Sequence, residues 1–166
     1  MGYHSKEHLQ PTSSNPCKLR VSLWPSRNTM ALDPFFAPAH YVLSQALVQK
    51  HDCNEAIAEL QRAIELSPGS SAFTANLACA YAVSGMRDKA EKTLNDLKNR
   101  SPQASNAPEI AMVYVGLGEK DQAMAWLEKG YAERFSPWVL MRPCFDPLRS
   151  EAGFQDLVRR LGLPRL

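Results

Sequence analysis

Apolar residues recur three and four positions apart along most of this chain. Ala56, Leu60 and Ala63 form one such set, Ala90, Leu94 and Leu97 a second, and Ala123 and Leu127 a third. Between them, Leu43 and Leu47, Leu77 and Tyr81, and Ile110 and Tyr114 keep the same step. A step of three to four places side chains on one face of an α-helix. Sustained apolar–polar alternation is absent from residue 30 onward, so the pattern predicts an all-α chain. Helices are expected over 37–50, 54–66, 71–84, 87–99, 105–117, 120–133 and 151–161. Pro68-Gly69 and Ser101-Pro102 stop the pattern between helix pairs. Gly85 and Gly118 fall inside pairs, where the residue after a helix adopts a positive φ most readily as glycine.

The pattern also repeats over a longer interval. Pro34, Pro68 and Pro102 are 34 residues apart, as are Leu43 and Leu77, Leu47 and Tyr81, and Ala56 and Ala90. Tyr81 and Tyr114, Ala90 and Ala123, and Leu94 and Leu127 are 33 apart. The one-residue slip falls between Ser101 and Ala107, where a connection absorbs it. A period of this size marks stacked helix hairpins, each too small to bury its apolar face alone. Small residues (Ala56, Ala63, Ala90, Ala123, Gly130) let the helices of a pair approach, and large ones (Leu43, Leu47, Tyr81, Leu94, Tyr114, Leu127) fill the seam.

These anchors resemble the tetratricopeptide repeat, whose signature is W-x₂-L-G-x₂-Y, then A-x₃-F, then Pro. Leu43-Ser44, Leu47, Ala56, Leu60, Ala63 and Pro68 match in the first unit. Leu77-Ala78, Tyr81, Gly85, Ala90, Leu94 and Pro102 match in the second, and Ile110-Ala111, Tyr114, Gly118, Ala123, Leu127 and Gly130 in the third. The Trp place holds His40, Thr74 and Ala107, and Leu97 stands where a small residue is usual. The resemblance implies an all-α, right-handed helix-pair solenoid of three units, about 37–70, 71–103 and 104–136. A C-terminal cap follows over 137–166, so the repeat domain spans 33–166. Leu32-Asp33-Pro34 resembles the last turn of an earlier repeat. The tail resembles, more weakly, the C-terminal repeat region of bacterial regulatory proteins.

Within the cap, Ser136–Arg142 reads as apolar and extended. Ser150 is the expected N-cap of a last helix whose stripe is Phe154, Leu157, Val158 and Leu161. Residues 1–32 break the pattern, because Pro11, Pro16 and Pro25 interrupt every helix there and 12–16 has loop composition. Three readings stand for this segment: a disordered lead, a docking arm, or an extraneous stretch such as a misplaced translation start.

Composition narrows the function. The net charge is +2 in 166 residues, and Lys6, Lys18, Arg20 and Arg27 against Glu7 place the basic excess in the first 32. The repeats are close to neutral, which argues against a nucleic-acid partner for them. No apolar run approaches the length of a membrane span, and no apolar signal core follows Met1. Cys17, Cys53, Cys79 and Cys144 are scattered without a CxxC, so they read as reduced thiols in a cytoplasmic protein.

Candidate chemistry is sparse. His4 and His8 are four apart but lack a third metal ligand, and His51 and Cys53 occupy a turn. Glu55, Glu59 and Glu65 share a helix with Arg62 and read as a solvated face. Asp146, Glu151 and Asp156 are too scattered for a carboxylate pair. Gly116-x-Gly118 follows no strand and reads as a helix end. The expectation is a non-enzymatic scaffold without cofactor, metal site, membrane contact or nucleic-acid contact. Its partner would be a protein or peptide, another domain, or another protomer. The alternative is a sensory repeat module cut from a larger bacterial regulator or kinase.

Stacked hairpins turn their first helices to a concave side. Projection gives Tyr41, Gln45 and Val48 in the first unit; Ala75, Asn76, Cys79 and Val83 in the second; and Glu109, Met112 and Gly116 in the third. Relatives that clamp a peptide carboxylate use Lys, Asn and Arg there. Only Asn76 fits, while Tyr41, Gln45, Ser105 and Glu109 do not, so no such clamp is expected.

Overall fold

The computed structural model describes residues 33–100 and 106–164. The N-terminal segment 1–32 and Ser105 lie outside them. The described residues form seven α-helices and two 3₁₀ helices: α1 (Ala37–Gln49), α2 (Cys53–Leu66), α3 (Ser71–Val83), α4 (Arg87–Arg100), α5 (Ala107–Gly116), α6 (Lys120–Ala132), 3₁₀ turns Pro137–Met141 and Pro143–Leu148, and α7 (Ala152–Arg160). The helix bounds agree with those expected from the apolar periodicity to within two residues.

Helices α1 and α2, α3 and α4, and α5 and α6 pack as successive hairpins, and each hairpin leans on the next. Every hairpin turn has the same construction. His51, Gly85 and Gly118 take φ of 65°, 76° and 79°, and the following amides of Asp52, Met86 and Glu119 donate back to the carbonyls of Leu47, Tyr81 and Tyr114 at 2.9–3.0 Å. This bond pattern closes a helix through a left-handed residue. Glycine takes that conformation without steric cost, whereas His51 carries a Cβ into it.

Second helices bury a single stripe: Ala56, Leu60 and Ala63 on α2, Ala90, Leu94 and Leu97 on α4, and Ala123, Leu127 and Gly130 on α6. First helices bury far more of their circumference, and Ala107, Pro108 and all of Ile110–Tyr114 are buried on α5. First helices therefore form an inner layer and second helices an outer one. Gly130 is required where α6 meets its neighbours, because a Cβ there would stand 2.9 Å from both Ala107 Cβ and Phe135 Cδ1. Helix α3 begins on Ser70, whose hydroxyl accepts from the Phe73 amide at 3.4 Å.

Residues 136–142 depart from the expected extended run. Pro137 and Pro143 each open a 3₁₀ turn, since the fixed φ of proline suits the first helical position. Only Ser136 and Arg142, which precede the prolines, are extended (ψ 118° and 140°). Ser150 is not the cap of α7. Glu151 is, without a side-chain bond to the helix, and its carboxylate takes the Lys120 ammonium of α6 at 2.6 Å instead.

The apolar core thickens toward the C-terminus. One large cluster joins α3, α4, α5, α6, the 3₁₀ turns and α7, with Leu140, Phe145, Leu148 and Leu157 fully buried and the Phe145 and Phe154 rings stacked at 6.3 Å. The first hairpin holds a small cluster of Leu43, Leu47 and Ala56. It adds a polar bolt. Buried His40 meets Glu59 Oε2 through Nδ1 at 2.6 Å and the Pro34 carbonyl through Nε2 at 3.1 Å.

Candidate functional site: the shared face of the first helices

The 34- and 33-residue steps align surface positions into columns across α1, α3 and α5. Val42, Asn76 and Glu109 form one, Gln45, Cys79 and Met112 a second, and Gln49, Val83 and Gly116 a third. Exposure along them falls from α1 to α5. Val42 is 40% exposed and Val83 46%, whereas Met112 is 2%. The second 3₁₀ turn packs on α5, the third hairpin's share of the face.

Between α1 and α3 the face is open and held by aromatic and amide groups. The Tyr41 and Phe73 rings lie 4.9 Å apart at 36°. The Asn76 amide donates to Tyr41 Oη at 3.3 Å and to the Ala72 carbonyl at 2.8 Å. Burial raises the Tyr41 pKa above its ordinary value, against the opposing pull of the Arg142 guanidinium and the Asn76 hydrogen bond. Arg142 arrives from the junction of the two 3₁₀ turns and stands 4.0 Å from Glu109 Oε1. It balances the one acidic group of the columns.

Between α3 and α5 the face is closed. A Cβ on Gly116 would lie 3.2 Å from Ala82 Cβ and from Cys79 Sγ, so the two helices meet at van der Waals distance. The Cys79 thiol is pushed up to about 11, mainly by burial, and burial also raises the Cys144 thiol. Both are neutral at ordinary pH and act as small apolar surfaces. Cys53, Cys79 and Cys144 are free thiols.

Of the residues projected onto this face, Tyr41, Gln45, Asn76, Cys79, Val83 and Glu109 are at least partly accessible. Ala75 and Met112 are not: they are 0% and 2% exposed and belong to the C-terminal cluster. Val48 is half-buried and serves the seam, packing against Leu43, Leu47 and Ala56 and against a second cluster formed by Leu60, Leu77, Ala80, Tyr81 and Ala90. Gly116 contributes a close approach of backbones. Three contributors were missing from the projection. Val42 was recoverable, one period before Asn76. Phe73 required the ring pairing across two hairpins, and Arg142 reaches the face only because the chain folds back through its 3₁₀ turns.

Beyond α5 the face continues into a cleft of about 470 Å³, lined by Glu109, Arg134, Phe135, Trp138 and Arg142 among others. Trp138 is 68% exposed. Among the described residues, no group of three or more His, Cys, Asp or Glu could hold a metal ion, and no helix is long and apolar enough to cross a membrane.

Comparison with known proteins agrees with the hairpin geometry. A family model described as Tetratricopeptide repeat matches residues 47–112, and a second of the same description matches 109–133. No curated protein matches the chain. The two family matches meet inside α5, where the second and third hairpins pack, and over residues 47–133 the chain belongs to the tetratricopeptide repeat family.

Proposed function

We propose that this protein is a non-enzymatic scaffold whose repeat domain, 33–166, holds a protein segment against the open face of α1 and α3. Its units would be 37–70, 71–103 and 104–136, with 137–166 as the cap. The observation that carries the proposal is an uncharged face with two exposed valines. Val42 and Val83 flank Gln45, Asn76 and Cys79, and the Arg142–Glu109 pair stands at one end. Such a surface suits an amphipathic helix or an extended apolar segment. Tyr41 and Phe73 add rigid aromatic area at low entropic cost. Free thiols fit a reducing, cytoplasmic setting.

The test is partner capture by the full chain, compared with Val42→Asp and Val83→Asp. Both side chains are substantially exposed, so folding should survive while captured partners are lost. Retention of every partner by the double variant would remove the groove from the proposal.

A second reading, that the domain is a module of a larger bacterial regulator, draws on the outer face of the first hairpin. Phe35 is 69% exposed and Phe36 45%, immediately ahead of α1. Genomic sequence upstream decides it: in-frame repeat-coding sequence supports a module, and an in-frame stop opposes it.

A further inference from the structure

The outer layer holds a second surface, independent of the groove. At the seam between α4 and α6, four side chains converge. Lys98 Nζ donates to Tyr114 Oη at 2.6 Å and lies 4.9 Å from the centre of the Tyr114 ring. The same ammonium is 5.8 Å from the centre of Trp126, and Lys129 Nζ is 4.6 Å from it. Two cations therefore share one half-buried indole.

Among the described residues, neither ammonium has a carboxylate within 4.0 Å; the ion pairs engage other cations. The nearest acidic neighbour in sequence on α6, Glu128, pairs with Arg160. The connection 101–105, which follows α4, contains no acidic residue. With no carboxylate beside them, both ammoniums are free to attract an anionic group.

The repeat supplies an internal control. One period earlier, Lys98, Tyr114, Trp126 and Lys129 correspond to Ile64, Tyr81, Thr93 and Asp96. That seam is built without the cluster. Ile64 packs into the core, Tyr81 Oη accepts from Gln61 at 3.3 Å, and Thr93 bonds back to the Lys89 carbonyl at 2.8 Å. It carries one ammonium over its tyrosine, Lys89, and an acidic residue where Lys129 stands. Hairpin packing therefore does not require two lysines and an indole.

We propose that Lys98, Lys129, Tyr114 and Trp126 form a docking site for a short acidic segment of a partner protein. The lysines would take two carboxylates, and the indole would cover the intervening aliphatic stem. The surroundings select this partner over a nucleic acid. Residues 33–166 carry 15 Lys and Arg against 16 Asp and Glu, and Asp88, Asp96, Asp121 and Glu128 interrupt the basic residues of the same two helices, so a long polyanion meets no continuous basic track.

The experiment uses the full chain carrying Trp24→Phe and Trp138→Phe, so that Trp126 alone reports. An acetylated, amidated hexaglutamate peptide is titrated at low salt. A saturable change in Trp126 fluorescence is expected. Lys98→Gln and Lys129→Gln should each weaken it about tenfold, while Lys89→Gln leaves it unchanged. Circular dichroism confirms that each variant is folded. Absence of a peptide response, or its persistence in the double Lys98→Gln/Lys129→Gln variant, overturns the proposal. So does inorganic phosphate binding as tightly as the peptide, or an oligothymidylate binding more tightly. Val42→Asp leaves this response intact if the two surfaces are separate, and loss of the response in that variant overturns a separate site.

Discussion

Helices α1 and α3 touch at few points, whereas α3 and α5 run against each other over much of their length. The difference lies in side-chain size. Tyr41 and Phe73 stand between the first two helices and keep their backbones apart. Gly116, Ala82 and Cys79 let the next two close to contact. The same family of hairpin thus yields a recess at one junction and core at the other. The open face of this protein is a junction left unfilled, and its extent is set by where small residues and the returning C-terminal turns begin to fill it.

The contrast can be broken most severely from the filled side. Phe145 is fully buried, and Phe145→Ala should cost about 3–5 kcal/mol in urea denaturation. Phe35→Ala, at the other end and 69% exposed, should change stability by less than about 0.5 kcal/mol. A similar loss at both ends would deny that the core is concentrated toward the C-terminus. Next in size is the polar bolt of the first hairpin. His40→Ala strands the Glu59 carboxylate, whose side chain is 19% exposed, and should cost about 2–3 kcal/mol. A loss under 1 kcal/mol would mean that the small apolar cluster holds α1 and α2 unaided.

The closed junction is tested at Gly116. Leucine there must push α3 from α5, with an expected loss of about 1–3 kcal/mol. Val83→Leu, one period earlier, points into the open face and should fall within about 0.5 kcal/mol of the parent. Equal values for the two would show that α3 and α5 are not in close contact in solution. The smallest effect concerns the turn of the first hairpin. His51→Gly should raise the thermal midpoint, with a gain of about 0.5–1 kcal/mol, because it removes a Cβ from a φ of 65°. A loss would assign the imidazole a stabilising contact.

Much of this architecture is legible in the sequence because its signals are local. Helix faces follow from steps of three and four, and the turns at Gly85 and Gly118 from glycine at the end of an apolar stripe. The matching turn at His51 carries no glycine, and only the period points to it. The 3₁₀ turns were hidden for a related reason. Pro137 and Pro143 fix the backbone of a stretch whose side chains show no helical spacing. Groove depth was the least legible quantity. Ala75 and Met112 occupy the register of surface positions, yet their burial depends on α5 and on residues about thirty positions further along the chain. Arg142 enters the face by the same return path. Periodicity identifies which direction a side chain takes from its own helix, and says nothing about what later covers it.

The graded filling of the core also sets an order of events in time. In a stack where each hairpin holds only its neighbours, opening starts where the coupling is weakest. Backbone amides of α1 and α2 should therefore trade hydrogen for deuterium first, and those of α5 last. A segment bound across α1 and α3 would slow exchange mainly at the frayed end. Occupancy of the recess would then be read most sensitively as a gain of order in the first hairpin, well away from the part of the molecule that gives it its stability.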